Sequence, residues 1–206
     1  LLYGQPPGEA LEFDGSDDYV EIPHSSSLNI SKEVTVEAWV NGSSATGTSN
    51  TKHIVAKPGA YILSWDHSSA NVTCWINSNN NWYNAGSFTV QPNQWNHLAG
   101  VFDGNKILLY VNGVKKLSNT ISSSAKVSIT TNTNPVNLAK DGHSNHFDGK
   151  VDEVRIWDDA RTQSEIHKYM HQEISKPSNF SNLVGYWKMD DGCGSSTATD
   201  AAGSNN

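Results

Sequence analysis

Two groups of residues in this chain could do chemistry. The first is flat aromatic surface edged by hydrogen-bonding side chains: Trp65, Trp75, Trp82 and Tyr83 fall close together, with Asp66, His67, Asn77 and Asn81 beside them. Aromatic faces suit the C–H side of a sugar ring, and neighbouring carboxylates and amides replace water at its hydroxyls. Trp82 and Tyr83 sit in SNNNWYNAG, which reads as a polar loop with few places to bury them, so they are expected to be exposed for binding. For Trp75, core packing and binding stay open. His143, in the loop DGHSNHFDG, is added as a polar partner. With His146 it lacks a third ligand at fixed spacing, so a transition-metal site is not expected.

The second group is carboxylates at turns. Asp14, Gly15 and Asp17 lie in DGSDD, and Asp152 stands at the entrance of the stretch VDEVRIW, where a carboxylate can reach beyond a sheet. Ca²⁺ takes about 6–8 oxygens from carboxylates, carbonyls and water, which such turns supply. The other reading of Asp14 and Asp152 is plain turn capping through Asx hydrogen bonds. Asp190 is a weaker candidate ligand. Neither a G-x-S-x-G nucleophile elbow nor a phosphate-cradling glycine loop is present.

These residues need a scaffold, and alternation supplies it. ALEFDGSDDYVEIP reads as two strands about a turn, Val34 to Val40 as another, then HIVAK, AYILSWD and VTCWIN. NQWNHLAGVFD and KILLYVNGVKK form a pair across Asp103-Gly104-Asn105, with weaker strands near Lys126 to Ile129 and Val136 to Ala139. In VDEVRIW, Val154 and Ile156 take one face, and Glu153, Arg155 and Trp157 the other. Arg155 is expected to pair with Glu37 across neighbouring strands, covered by Trp39 and Trp157. A helix follows, with Thr162 and Glu165 as a capping box, Ile166, Tyr169, Met170 and Ile174 as its apolar stripe, and Pro177 closing it. Many short strands with Gly, Asn and Asp turns predict an all-β, antiparallel two-sheet jelly-roll sandwich with one short capping helix.

Composition narrows the partners. Across 206 residues the formal net charge is -7, and the longest basic run is the pair Lys115-Lys116, so no electropositive track exists for nucleic acid. A mean hydropathy of -0.53 describes a soluble globular chain. No apolar run approaches the roughly 20 residues of a membrane span, so membrane insertion is not expected. No signal peptide opens the chain, which reads as a mature or excised piece. Two cysteines, Cys74 and Cys193, are too few for a disulfide framework or a thiolate site. Cys74 lies in an alternating apolar run, as a buried thiol would, and a bridge between the two stays open.

Taken in order, ALEFDGSDDYVEIP, VTVEAWV, WNHLAGVFDGNKILLYVNGV and FDGKVDEVRIWDDARTQSEI resemble the laminin-G-like jelly-roll domains of the concanavalin A-like lectin and glucanase superfamily. The resemblance implies two antiparallel sheets, commonly part of extracellular enzymes or adhesins, and often a bound sugar or structural Ca²⁺. In it an Asp just before a VRI-type strand is a common calcium ligand, a position Asp152 matches. The hydrolases of that superfamily carry E-x-D-x-x-E on one strand. Here Glu33 and Glu37 share a face, but Thr35 replaces the intervening acid, so catalysis is not expected. LVGYWKMDDGCGSSTATDAAG is similar to the segment that usually precedes the ALEFDG strand. Residues 183–206 are therefore either a permuted strand of one sandwich spanning 1–206 or the start of a tandem repeat. The expectation is a non-catalytic, calcium-stabilised module binding a polysaccharide or glycan, monomeric within a larger secreted or cell-surface protein. The alternative is a structural or adhesive module that contacts protein without useful sugar affinity.

Overall fold

A computed structural model describes residues 6–44, 51–121, 127–141, 145–192, 195–203 and 205. Fourteen strands follow in chain order among them: β1 (Leu11–Asp14), β2 (Val20–Ile22), β3 (Val34–Gly42), β4 (Thr51–Lys57), β5 (Tyr61–Asp66), β6 (Asn71–Ser78), β7 (Asn81–Asn84), β8 (Phe88–Thr89), β9 (Asn96–Phe102), β10 (Lys106–Val111), β11 (Val114–Thr120), β12 (Val136–Leu138), β13 (Asp148–Trp157) and β14 (Leu183–Trp187). One sheet, here the first, runs β1-β13-β3-β9-β10-β11, with β14 beside β13. The second runs β2-β12-β4-β5-β6-β7, with β8 beside β6. Every pairing is antiparallel, so this is the expected jelly-roll sandwich.

Alternating residues of the two sheets meet in the core: Val36, Ala38 and Val40 from β3, Leu63 and Trp65 from β5, and Val72, Cys74 and Ile76 from β6. The sheets approach closely at Gly100, where an added Cβ would stand 2.5 Å from the Cys74 Cβ, so any side chain there would force them apart. Cys74 is a free, buried thiol, while Cys193 lies outside the described residues.

The chain beyond β13 covers the outer face of the first sheet. Helix α1 (Gln163–Tyr169) begins at Thr162, whose side chain forms the full capping box with Glu165. Ile166 packs on Ala99, Val101 and Tyr110, placing the helix on the sheet's face. The helix is shorter than its apolar stripe predicts, because Ile174 lies beyond it and packs on Trp157, Leu183 and Tyr186 instead. Leu183–Trp187 of the tail runs antiparallel to the second half of β13, beyond the stretch that β1 occupies.

Two local expectations are corrected. Residues 127–129 are not a strand; the amides of Val127 and Ile129 bond to Gly104 and Ser31 as an extended connection. SNNNWYNAG is not a loop, because Asn79 and Asn80 both take positive φ, 50° and 62°. That is the two-residue hairpin turn whose twist matches paired strands, and it makes Asn81–Asn84 strand β7.

Candidate functional site

The β6–β7 hairpin decides where the aromatics go. With Val72, Cys74 and Ile76 facing the core, alternation sends Thr73, Trp75 and Asn77 to the outer face of the second sheet. Trp82 pairs directly with Asn77, and Asn84 with Trp75, so Trp82 shares that outer face. Trp75 and Trp82 are thus diagonal neighbours on adjacent strands, a relation that sets side chains roughly 7–8 Å apart. Trp82 is 41% exposed and Trp75 is half-buried. No helix packs on this face among the described elements, in contrast to the first sheet.

Register extends the patch across the sheet. Trp75 stands opposite Ile62, Ile62 opposite Ala56, Ala56 opposite Asn137, and Asn137 opposite Glu21. Asn137 is buried, and its Oδ1 has no hydrogen-bond partner among the described residues. The row therefore combines indole surface, the aliphatic side chains of Ile62 and Ala56, amides and, at its end, the Glu21 carboxylate. Ile62, Asn84 and Asn137 do not stand out in the sequence, since their place beside Trp75 depends on strand register alone.

The other predicted sugar contacts go elsewhere. Trp65 points inward from β5, fully buried against Phe147, with its indole N–H donating to the Ser43 carbonyl at 3.1 Å. A sugar cannot reach that ring, so the expected convergence of Trp65 with Trp82 and Tyr83 does not occur. Tyr83 also turns inward, opposite Ile76, and packs against the core. Adjacent strand residues face opposite ways, so Trp82 and Tyr83 cannot share a platform. Asp66 accepts from the Ser68 amide at 2.8 Å and hydroxyl at 2.7 Å, closing the β5–β6 turn. His143 lies outside the described residues.

The predicted cation ligands divide into two places. Asp14, Asp17 and Asp18 converge at the exposed β1–β2 turn, with carboxylate oxygens within 4.8 Å of one another. The β13 residue opposite Asp14 is Asp148, whose Oδ2 accepts from Ser43 Oγ at 2.6 Å. Asp152 is four residues further along β13, roughly 13 Å away at strand spacing. Nor does it reach beyond the sheet: Asp152 is fully buried, opposite Trp39. Strand β13 starts at Asp148, so Asp152 is interior to the sheet, and a bulge at Glu153, a non-glycine residue with φ of 51°, brings Glu153 to the same outer face under the covering segment.

There Asp152 Oδ1 accepts from the Glu153 amide at 2.8 Å, while Oδ2 has no hydrogen-bond partner among the described residues. Burial, then the charge of Glu153 and more weakly that of Asp190, push this carboxyl up to about 8. Glu153 bonds instead to Arg155 and to the Tyr186 hydroxyl. Trp157 donates to Glu37 Oε1 at 2.9 Å. Burial raises Glu37 despite Arg155 beside it, and burial holds His97, 3.5 Å from Glu37, well below its usual range and neutral. Arg155 Nη1 donates to the Tyr169 carbonyl at 2.9 Å and Nη2 to that of Gln172 at 2.6 Å, so the ionic group anchors the covering segment. Glu37, Asp152 and Glu153 are each at most 2% exposed, which gives a substrate no access to them.

Comparison with known proteins agrees with the fold. The chain is 30% identical to mouse Pappalysin-1 over 111 residues, 49% of this chain and 7% of that protein, so it spans a small part of that relative's length. It is similar to a structure from Bacteroides ovatus named for carbohydrate binding, with a TM-score of 0.70 and 20% identity, covering 93% of this chain and 56% of that one. It is also similar to domain 4 of AbnA, an extracellular arabinanase from Geobacillus stearothermophilus solved with arabinotriose. There the identity is 27% and the TM-score 0.60, covering 82% of this chain and 79% of that domain. The family model described as Concanavalin A-like lectin/glucanases superfamily matches residues 14–167, and the chain belongs to that superfamily.

Proposed function

We propose that the protein is a non-catalytic carbohydrate-binding module, and that the outer face of its second sheet holds the glycan. The observation that carries this reading is the Trp75 and Trp82 pair on a sheet face that no helix covers among the described elements. Stacked on those indoles, a sugar would lose little water from its own polar edge while covering apolar surface. Asn84, half-buried opposite Trp75, offers an amide beside the indoles, and no Lys or Arg stands in that row, which favours a neutral glycan. The solved arabinotriose complex of the 27% identical domain supports a neutral oligosaccharide as ligand class. Affinity electrophoresis against a panel of plant and microbial polysaccharides tests the reading. Retardation of wild type and its loss in Trp82→Ala are expected, and no retardation by any polysaccharide would favour the protein-contacting alternative.

A structural Ca²⁺ belongs to this proposal, as does an origin in a larger extracellular protein. The buried, unpartnered Oδ2 of Asp152, with Asp190 near enough to act on it through charge, has the donor character a hard cation takes. Asp152 and Asp190 would hold the ion, joining β13 to the segment after β14. Bound there, Ca²⁺ would supply charge compensation and crosslinking. The acidic turn of Asp14, Asp17 and Asp18 stands apart, and the carboxylates of Asp14 and Asp18 already accept from the turn's own amides.

A further inference from the structure

At one side of the sandwich a cleft of ≈ 680 Å³ opens between β1 and β2 on one wall and Met189, Asp191, Gly192 and Ser195 to Ala198 on the other. Its floor is core: Phe13, Ile22 and Met189 line it and belong to the main hydrophobic cluster. On its walls Leu11 and Tyr19 are 37% and 46% exposed, large apolar groups that a closed sandwich would cover. Both strands beside it are sheet edges. β1 pairs only with β13 and β2 only with β12, and on their other sides Val20, Glu21 and Ile22 make no backbone hydrogen bond among the described residues. In β1, by contrast, the Asp14 amide is already engaged by Asp18.

The charge lining this cleft has one sign. Glu9, Glu12, Asp18, Glu21 and Asp191 line it, with no Lys or Arg among the lining residues. Lys150 pairs with Glu12 at 3.4 Å and Lys140 lies over the Tyr19 ring, 3.7 Å from its centre, and neither forms an ion pair with Glu9, Glu21 or Asp191 among the described residues.

We infer that this cleft binds an extended polypeptide strand of alternating apolar and basic residues, added to the free edge of β2. A strand in that place would satisfy the open backbone groups of β2. Its alternate side chains would cover the Phe13, Ile22 and Met189 floor, and the opposite set would carry Lys or Arg to the acidic rim. Main-chain bonds then supply affinity, and the alternating pockets and charges supply selectivity. The occupant is a polypeptide rather than a sugar because the floor is buried core beside a strand edge, and no indole lines the cleft. β7, which carries Trp82, is at the far end of the second sheet from β2, five strand spacings or roughly 24 Å away, so the indoles are remote from the cleft although the row that starts at Trp75 ends at Glu21.

The test uses labelled peptides read by fluorescence anisotropy, with amide hydrogen exchange on the protein. A peptide alternating valine and lysine is expected to bind at least about tenfold more tightly than one alternating valine and glutamate. It should slow exchange at residues 20–22. The charge-reversed variant Glu9→Lys/Glu21→Lys/Asp191→Lys, altered only at exposed positions, should invert the preference, while Trp82→Ala should leave it unchanged. Equal affinity for the two peptides, no binding of the valine–lysine peptide, or binding that leaves exchange at β2 untouched would each overturn the inference.

Discussion

Arg155 on β13 and Glu37 on β3 stand directly opposite each other, Nη1 3.8 Å from Oε1, with side chains 1% and 3% exposed. Removing one partner of such a buried pair leaves the other charged and unpaired, which costs about 3–5 kcal/mol. Arg155 also holds the carbonyls of Tyr169 and Gln172, so its loss should loosen the covering segment as well as the sheet. Arg155→Met is expected to lower stability in urea by that magnitude and to raise amide exchange in residues 170–174 before the strands. Unchanged exchange there would show that packing alone holds the segment.

Asp152 gives the molecule a pH signature when divalent cations are removed. Its carboxyl stays protonated in the fold up to about 8, but the unfolded chain releases that proton near 3.8. The folded state therefore holds the extra proton between those values, and stability from this group is full below the unfolded value and lost as pH rises through 8. In chelator, wild type should lose on the order of a few kcal/mol between pH 5 and pH 9 that Asp152→Asn does not lose. Parallel urea midpoints for the two proteins across that range would remove this account of Asp152.

Calcium should reverse that penalty. A ligand of the native state alone stabilises by about 2.7 kcal/mol at a hundredfold excess over its dissociation constant. Thermal melts with millimolar Ca²⁺ and with chelator should separate for wild type and coincide for Asp152→Asn, while Asp17→Asn should behave as wild type. If Asp17→Asn abolishes the shift and Asp152→Asn keeps it, the ion belongs to the β1–β2 turn.

Alternation carries the strands of both sheets and even the Arg155 to Glu37 opposition, because period-two patterning and one buried face determine which residues meet. It also places Trp157 beside that pair, donating to Glu37. Other positions are hidden for physical reasons. Asn79 and Asn80 look like loop, yet asparagine tolerates the left-handed conformation that makes a tight hairpin, and so β7 does not show as a strand. Strand β13 starts at Asp148, four residues before Asp152, so Asp152 lies inside the sheet and not at its entrance; the bulge that follows at Glu153 is equally hidden, since no residue type in VDEVRIW announces an extra residue. Trp65 and Trp75 both alternate cleanly, but which of two faces is inside depends on the other sheet and on the covering segment.

That difference between the two tryptophans can be measured directly. Trp65 fills the core and bonds to the Ser43 carbonyl, so Trp65→Ala should cost about 3–5 kcal/mol of stability. Trp82 is 41% exposed on an edge strand, and Trp82→Ala should change stability by less than about 1 kcal/mol while weakening polysaccharide binding about tenfold. Trp75, half-buried beside Ile62, should show both effects in part. The informative pattern is the crossing of the two scales: the stability cost falling in the order Trp65, Trp75, Trp82 and the binding loss running the other way. A Trp82→Ala protein that folds and binds as wild type would move the glycan off this face, because no other large aromatic within the described strands of the second sheet is as exposed.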